Sequence, residues 1–173
     1  MPGKIILLNG ASSAGKSTLA KALQAALPEP FWHFSIDHLL AAKILPHERL
    51  KSGDFHWKDM RPAFFEGFHR CLPALAEAGN NLIVEHIIET DAWMHRLAES
   101  LQPYDVFFVC LHCPLRELER RELARGDRRI GDAKKDFETT LAHCFYDIEL
   151  DSTIPLDENV AILMAAWERR KNP

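Results

Sequence analysis

Residues 10–17 read Gly-Ala-Ser-Ser-Ala-Gly-Lys-Ser, a complete G-x-x-x-x-G-K-S pattern, and its flanks restrict the fold more than any other stretch. Lys4 to Asn9 before it is a short apolar run of buried-strand length. Thr18 to Leu27 after it reads as a helix. In a strand, glycine turn and helix of that order, successive N–H groups and the helix N-terminus converge on an anion. Gly10, Ser12, Ser13, Ala14, Gly15, Lys16, Ser17 and Thr18 are therefore expected to cradle a nucleotide, ATP or GTP. Lys16 would reach the β- and γ-phosphates and the Ser17 hydroxyl would help to hold Mg²⁺. The strand before the loop favours this over a glycine turn that merely opens a helix.

Apolar strand-like runs alternate with helical ones along the remaining chain, the signature of βαβ units around a parallel sheet. Strands are expected at Phe31 to Ile36, Leu82 to Glu85, Val106 to Leu111 and about Asp147 to Leu150. Helices are expected at Asp37 to Leu45, Pro62 to about Ala78, Asp91 to Leu101, Leu115 to Arg125, Ala133 to Phe145 and Asp157 to Arg170. Pro46 to Asp59 shows no clear periodicity and reads as a loop, and an acceptor-region insert is expected at about 46–61. Five strands with right-handed crossovers give one three-layer α/β/α domain with a five-stranded parallel sheet over 1–173. Ligands should sit beyond the carboxyl ends of the strands, where the phosphate loop, Asp37, Glu85-His86 and Cys113 fall.

Three groups at that rim could do chemistry. Asp37 ends a strand and opens a helix near the expected γ-phosphate, so it could take a proton from an attacking hydroxyl, or simply cap the helix. Glu85 ends the third strand and could hold Mg²⁺; it could instead orient the acceptor or bond a loop. Five arginines (120, 121, 125, 128 and 129) surround Gly126-Asp127. Closing arginines neutralise charge spread over a transferring phosphoryl group, although cations also suit a solvated helix end. Arg121, Arg125 and Arg128 are expected in a lid over about 120–132, with Arg120 and Arg129 facing solvent. Phe55, Trp57, Met60, Phe64, Phe65 and Phe68 could line an acceptor pocket or serve as core contacts, with Arg49, Lys51, Lys58 and Arg61 close by.

These residues together resemble the chloramphenicol phosphotransferase family of small P-loop kinases. The resemblance rests on Ile6 to Ser17, Leu27-Pro28-Glu29-Pro30, Ser35-Ile36-Asp37-His38-Leu39, Arg121 to Arg128 and Tyr146 to Ser152, in order along nearly the whole chain. It implies a P-loop nucleotide-kinase-like fold and ATP- and Mg²⁺-dependent phosphorylation of a small-molecule hydroxyl, in that family the primary alcohol of chloramphenicol. Asp37 matches the aspartate proposed there as base. Glu85-His86 stands where the family more often has acidic pairs, and Pro46 to Arg61 departs from the antibiotic-modifying enzyme.

Other classes fit less well. A net charge of −4 disfavours a nucleic-acid or anionic-membrane surface. No run reaches membrane-spanning length, and the chain enters its first strand at once, which leaves no room for a signal peptide; the expected compartment is the cytoplasm. Cys110 and Cys113 have C-x-x-C spacing without a second pair, so buried thiols are expected over a redox or zinc site. A nucleoside or nucleotide kinase, an ATP-dependent switch without an acceptor, and a kinase of nucleic-acid ends remain open, as does the oligomeric state.

Overall fold

The computed structural model describes residues 1–125, 130–140 and 145–170. Five parallel strands, β1 (Ile5–Asn9), β2 (Phe31–Ser35), β3 (Asn81–His86), β4 (Val106–His112) and β5 (Ile148–Asp151), lie in the order β2-β3-β1-β4-β5. β1 is wholly buried because helices cover both faces of the sheet, which is why it reads as a continuous apolar run.

Side chains alternate across each strand, and the two faces build two cores. Ile6, Leu8, Ile83, Phe107 and Val109 pack against α1 (Lys16–Ala26) and α8 (Leu156–Arg169) through Leu19, Leu23, Leu163 and Trp167. Ile5, Leu7, Leu82 and Val84 pack against α4 (Trp57–Glu77) and α5 (Asp91–Leu101) through Phe68, Leu72, Leu97 and Leu101. The expected three layers are present. α6 (Leu115–Arg125) follows β4 and packs on α7 (Asp132–Thr139).

The structure departs from the sequence expectation where burial is slight or a proline misleads. The 46–59 stretch holds α3 (His47–Ser52), which buries no residue and so leaves no apolar periodicity to read. α4 begins at Trp57, and Pro62 and Pro73 both lie inside it. Each proline removes one i→i−4 hydrogen bond, and the apolar face of Phe65, Phe68, Leu72 and Ala76 holds the helix in the core despite the loss. α2 (Ile36–Ala41) ends before Leu45, with Lys43 in the left-handed region at φ 53°. The helix expected to reach Phe145 ends at Thr139, and Phe145 itself is exposed and non-helical. Among the described residues no helix is long and apolar enough to cross a membrane.

In the parallel register Leu8 stands beside Glu85, Asn9 beside His86 and Cys110, and Ser35 beside Glu85. The carboxyl ends of four strands thereby form one rim. The most exacting packing under it surrounds Trp167, which is 2% exposed with its ring edge-on to Phe31 at 6.2 Å and to Phe107 at 5.5 Å. Trp167→Ala should lower the free energy of unfolding by about 3–5 kcal/mol in urea denaturation.

Candidate active site

The phosphate loop leaves β1 at Gly10, pressed against β4: a Cβ there would lie 2.7 Å from the Leu111 carbonyl oxygen. Gly15, at φ 102°, caps α1 in a conformation that suits glycine. The Lys16 ammonium folds back into the loop and donates to the carbonyls of Gly10 and Ala11, both at 2.8 Å, so the cation is buried but satisfied. Asn9 braces the loop from below. Its Oδ1 accepts from the Ile88 N–H at 3.1 Å and its amide nitrogen donates to the Tyr146 hydroxyl at 2.8 Å.

Ser17, in the first turn of α1, donates its hydroxyl to Glu85 Oε2 at 2.8 Å. The other Glu85 oxygen is bonded to His33 Nε2. Burial pushes the Glu85 carboxyl up, but the His33 and Ser17 hydrogen bonds and the charge of Lys16 outweigh it and hold the group below the ordinary carboxylate range. The result is a buried, ionised carboxylate beside a hydroxyl, a hard-oxygen pair of the kind that suits Mg²⁺.

A cleft of about 890 Å³ opens above this pair, lined by most of the sequence-predicted residues; Gly10 is not among its lining residues. Ser12 to Thr18 form its floor, with Asp37 and Glu85 on one side and Arg121 and Arg125 on the other. Ser35, not Asp37, caps α2, its hydroxyl accepting from the His38 N–H at 3.2 Å. Asp37 sits in the first turn with its side chain exposed to the cleft. Arg121 donates to the Ala14 carbonyl at 3.1 Å, the Ser152 carbonyl at 2.9 Å and Glu117 at 2.7 Å, which fastens α6 to the loop and to the segment after β5. Arg125 is the last residue of α6. Arg120, expected to face solvent, is largely exposed yet also lines the cleft. Arg128 and Arg129 lie outside the described residues.

The far wall is aromatic. Trp57 and Phe65 line it, while Phe68 turns into the core and stacks on Phe34 at 5.1 Å, so the aromatic run divides between site and core. Arg61 lies over Phe65 at 4.5 Å and is ion-paired with Glu89. Behind them His86 Nδ1 accepts from the Ile87 N–H at 2.9 Å, so its Nε2 carries the hydrogen and donates to His69 Nε2 at 2.7 Å. Both rings are neutral. Burial lowers His69 to about 4, and burial with nearby positive charge puts His86 well below its ordinary value.

Several residues in or beside the cleft escape a reading by motif. Glu89 and Ser152 lie just beyond strand ends, where the parallel-sheet rule could have found them. Asp136, buried on α7, accepts from the Ser12 N–H at 3.0 Å, and no spacing in the sequence joins the two. His33 lies two residues before the Ser35 to Leu39 segment on β2, and its tie to Glu85 becomes visible only through the β2–β3 register. Away from the cleft, Cys110, His112 and Glu149 come within 4.8 Å of one another on adjacent strands, a cluster that spacing did not reveal.

The family profile described as "Chloramphenicol phosphotransferase-like protein" matches residues 3–168. Proteins from two strains of Mycobacterium tuberculosis, provisionally named O-phosphotransferases, are 31% identical over 170 residues, covering 87% of this chain and 76% of theirs. Among solved structures, an APS kinase from M. tuberculosis in complex with AMPPNP and APS superposes with a TM-score of 0.71 at 20% identity, covering 96% of this chain and 98% of that one. An unliganded sugar kinase from Janibacter superposes at 0.68 with 18% identity, covering 96% and 95%. At these identities the superpositions speak for the fold: that of the P-loop kinases.

The histidine pair makes stability depend on pH with a definite sign. Its members take up protons in the unfolded chain near pH 6.5 and resist them when folded. The stability they contribute is present above about 6.5 and is lost as pH falls below it, for His69 down to about 4. The urea midpoint should therefore drop across this window, and His69→Phe should flatten the drop.

Proposed function

The chain belongs to the chloramphenicol phosphotransferase-like family, and on that footing we propose that it transfers the γ-phosphoryl group of ATP to a hydroxyl of a small, uncharged molecule. One observation carries this reading. A single cleft brings together a phosphate loop, a Ser17–Glu85 oxygen pair, the Asp37 carboxylate, Arg121 and Arg125 among its arginines, and an aromatic wall.

The roles follow from position. The loop N–H groups and Lys16 hold the β- and γ-phosphates, with Lys16 exchanging its loop carbonyls for phosphate oxygens. Arg121 and the Ser152 to Ile154 segment flank the end of the cleft where the nucleotide base would rest. Mg²⁺ bound by Ser17 and Glu85 would supply neutralisation of phosphate charge. Asp37 takes the proton of the acceptor hydroxyl as its oxygen bonds to the γ-phosphorus and the bond to ADP breaks. Arg125, with Arg128 from the segment after it, neutralises the charge on the equatorial oxygens. The arginine-rich region over about 120–132 would serve as a lid that excludes water and limits transfer to it.

The acceptor wall favours an uncharged alcohol with an apolar or aromatic body. Trp57 and Phe65 offer ring faces, and Arg61 is already balanced by Glu89. An anionic acceptor would have to break that pair. Chloramphenicol has the required character and is the first acceptor to try, in the soluble setting expected of such a kinase.

Chloramphenicol or another neutral alcohol should stimulate ADP release from ATP, and nucleoside monophosphates should not. The reverse pattern would overturn the acceptor class. Lys16→Ala should nearly abolish turnover. Asp37→Ala should lower kcat by about 10²-fold or more while leaving ATP affinity close to wild type. Unchanged turnover in Asp37→Ala would remove the base from the scheme.

A further inference from the structure

His33 has no place in the phosphate loop, the arginine segment or the acceptor wall, yet its side chain is only 7% exposed. On β2, His33 and Ser35 point to the face that α1 covers, as Glu85 does on β3. The register sets Ser35 beside Glu85, which leaves His33 one side-chain step back along the same face. The His33 and Glu85 side chains are 7% and 9% exposed, and they are joined Nε2 to Oε1. A carboxylate only accepts, so the hydrogen sits on Nε2 and the histidine donates. The His38 ring closes over His33 edge-on at 4.4 Å, with His38 Nδ1 donating to the His33 carbonyl at 3.1 Å.

The consequence lies in the geometry of Glu85. A glutamate has one more rotatable bond than an aspartate and so more freedom to lose when its oxygens must stay in one place. Here one oxygen is taken by His33, and that fixes the other toward Ser17 at 2.8 Å, over the loop. An imidazole that donates to an acidic group beside a ligand site is an outer-shell partner, and such partners set how well the inner oxygens bind.

We propose that His33 is a positioning residue for the divalent cation that accompanies the nucleotide: by holding one oxygen of Glu85 it presents the other, together with the Ser17 hydroxyl, to the metal. The inference rests on the reading of Glu85 as a cation-holding group. It adds that the end of β2, which also delivers Asp37, is coupled to the metal site through His33. The strand end that carries the proposed base and the oxygen pair beneath the phosphates are then one connected unit.

The test is a binding measurement. Calorimetry with AMPPNP gives nucleotide affinity in excess EDTA and again with Mn²⁺, while loss of the free Mn²⁺ signal in electron paramagnetic resonance follows the metal itself. In wild type, Mn²⁺ should tighten AMPPNP binding. His33→Ala should weaken the Mn²⁺-dependent part about tenfold and leave the affinity in EDTA unchanged. His33→Gln, whose amide can donate from nearly the same position, should recover most of the loss. Equal Mn²⁺ dependence in wild type and His33→Ala, or a loss that also appears in EDTA and is not recovered by glutamine, would overturn the positioning role. Glu85→Gln separates the two layers. If it leaves the Mn²⁺ dependence intact, the reading of Glu85 itself falls; if it removes that dependence while His33→Ala does not, only the role of His33 falls.

Discussion

A buried carboxylate with both oxygens committed is the constraint on which the site depends. Glu85 joins the first turn of α1, through Ser17, to the middle of β2, through His33, at the end of a strand packed between β1 and β2. A charge removed from water is costly unless its hydrogen bonds are met, so this arrangement tolerates little displacement of any of the three elements. The phosphate loop and the Asp37 turn are therefore held in fixed relation even though 20 residues and a full helix separate them along the chain.

Two halves of the cleft grow from that point by different physics. The nucleotide half is built from backbone: loop N–H groups, a lysine held by loop carbonyls, and Arg121 bonded to Ala14 and Ser152 across the rim. It reads charge. The opposite half is built from rings, and the histidines and the arginine packed against them already have partners within the protein. His69 and His86 satisfy each other as neutral imidazoles, and Arg61 lies between Phe65 and Glu89. A wall of that kind selects by shape and apolar contact, with few hydrogen bonds to spare for a guest.

The sequence disclosed the nucleotide half far better than the acceptor half, for a physical reason. A phosphate loop needs particular residues at consecutive positions, so Gly10 to Ser17 announce it, and the buried strands around it read as apolar runs. The 46–61 region carries no such local demand. α3 lies exposed, Pro62 marks the interior of α4 and not its start, and only Trp57 and Phe65 of the aromatic run reach the cleft wall. Asp37 and Glu85 were legible because strand ends at a parallel sheet's carboxyl rim are where ligands go. His33 and Asp136 were not, since each acts through a partner brought near by register or helix packing. Arg128, chosen for the lid, lies outside the described residues.

The most direct measurement of the central claim follows phosphorus itself. With ATP, Mg²⁺ and a neutral aromatic alcohol such as chloramphenicol, ³¹P nuclear magnetic resonance should show a phosphomonoester signal growing in step with ADP and coupled to the acceptor's carbon-bound protons. ADP accompanied only by inorganic phosphate, whichever alcohol is present, would contradict the account.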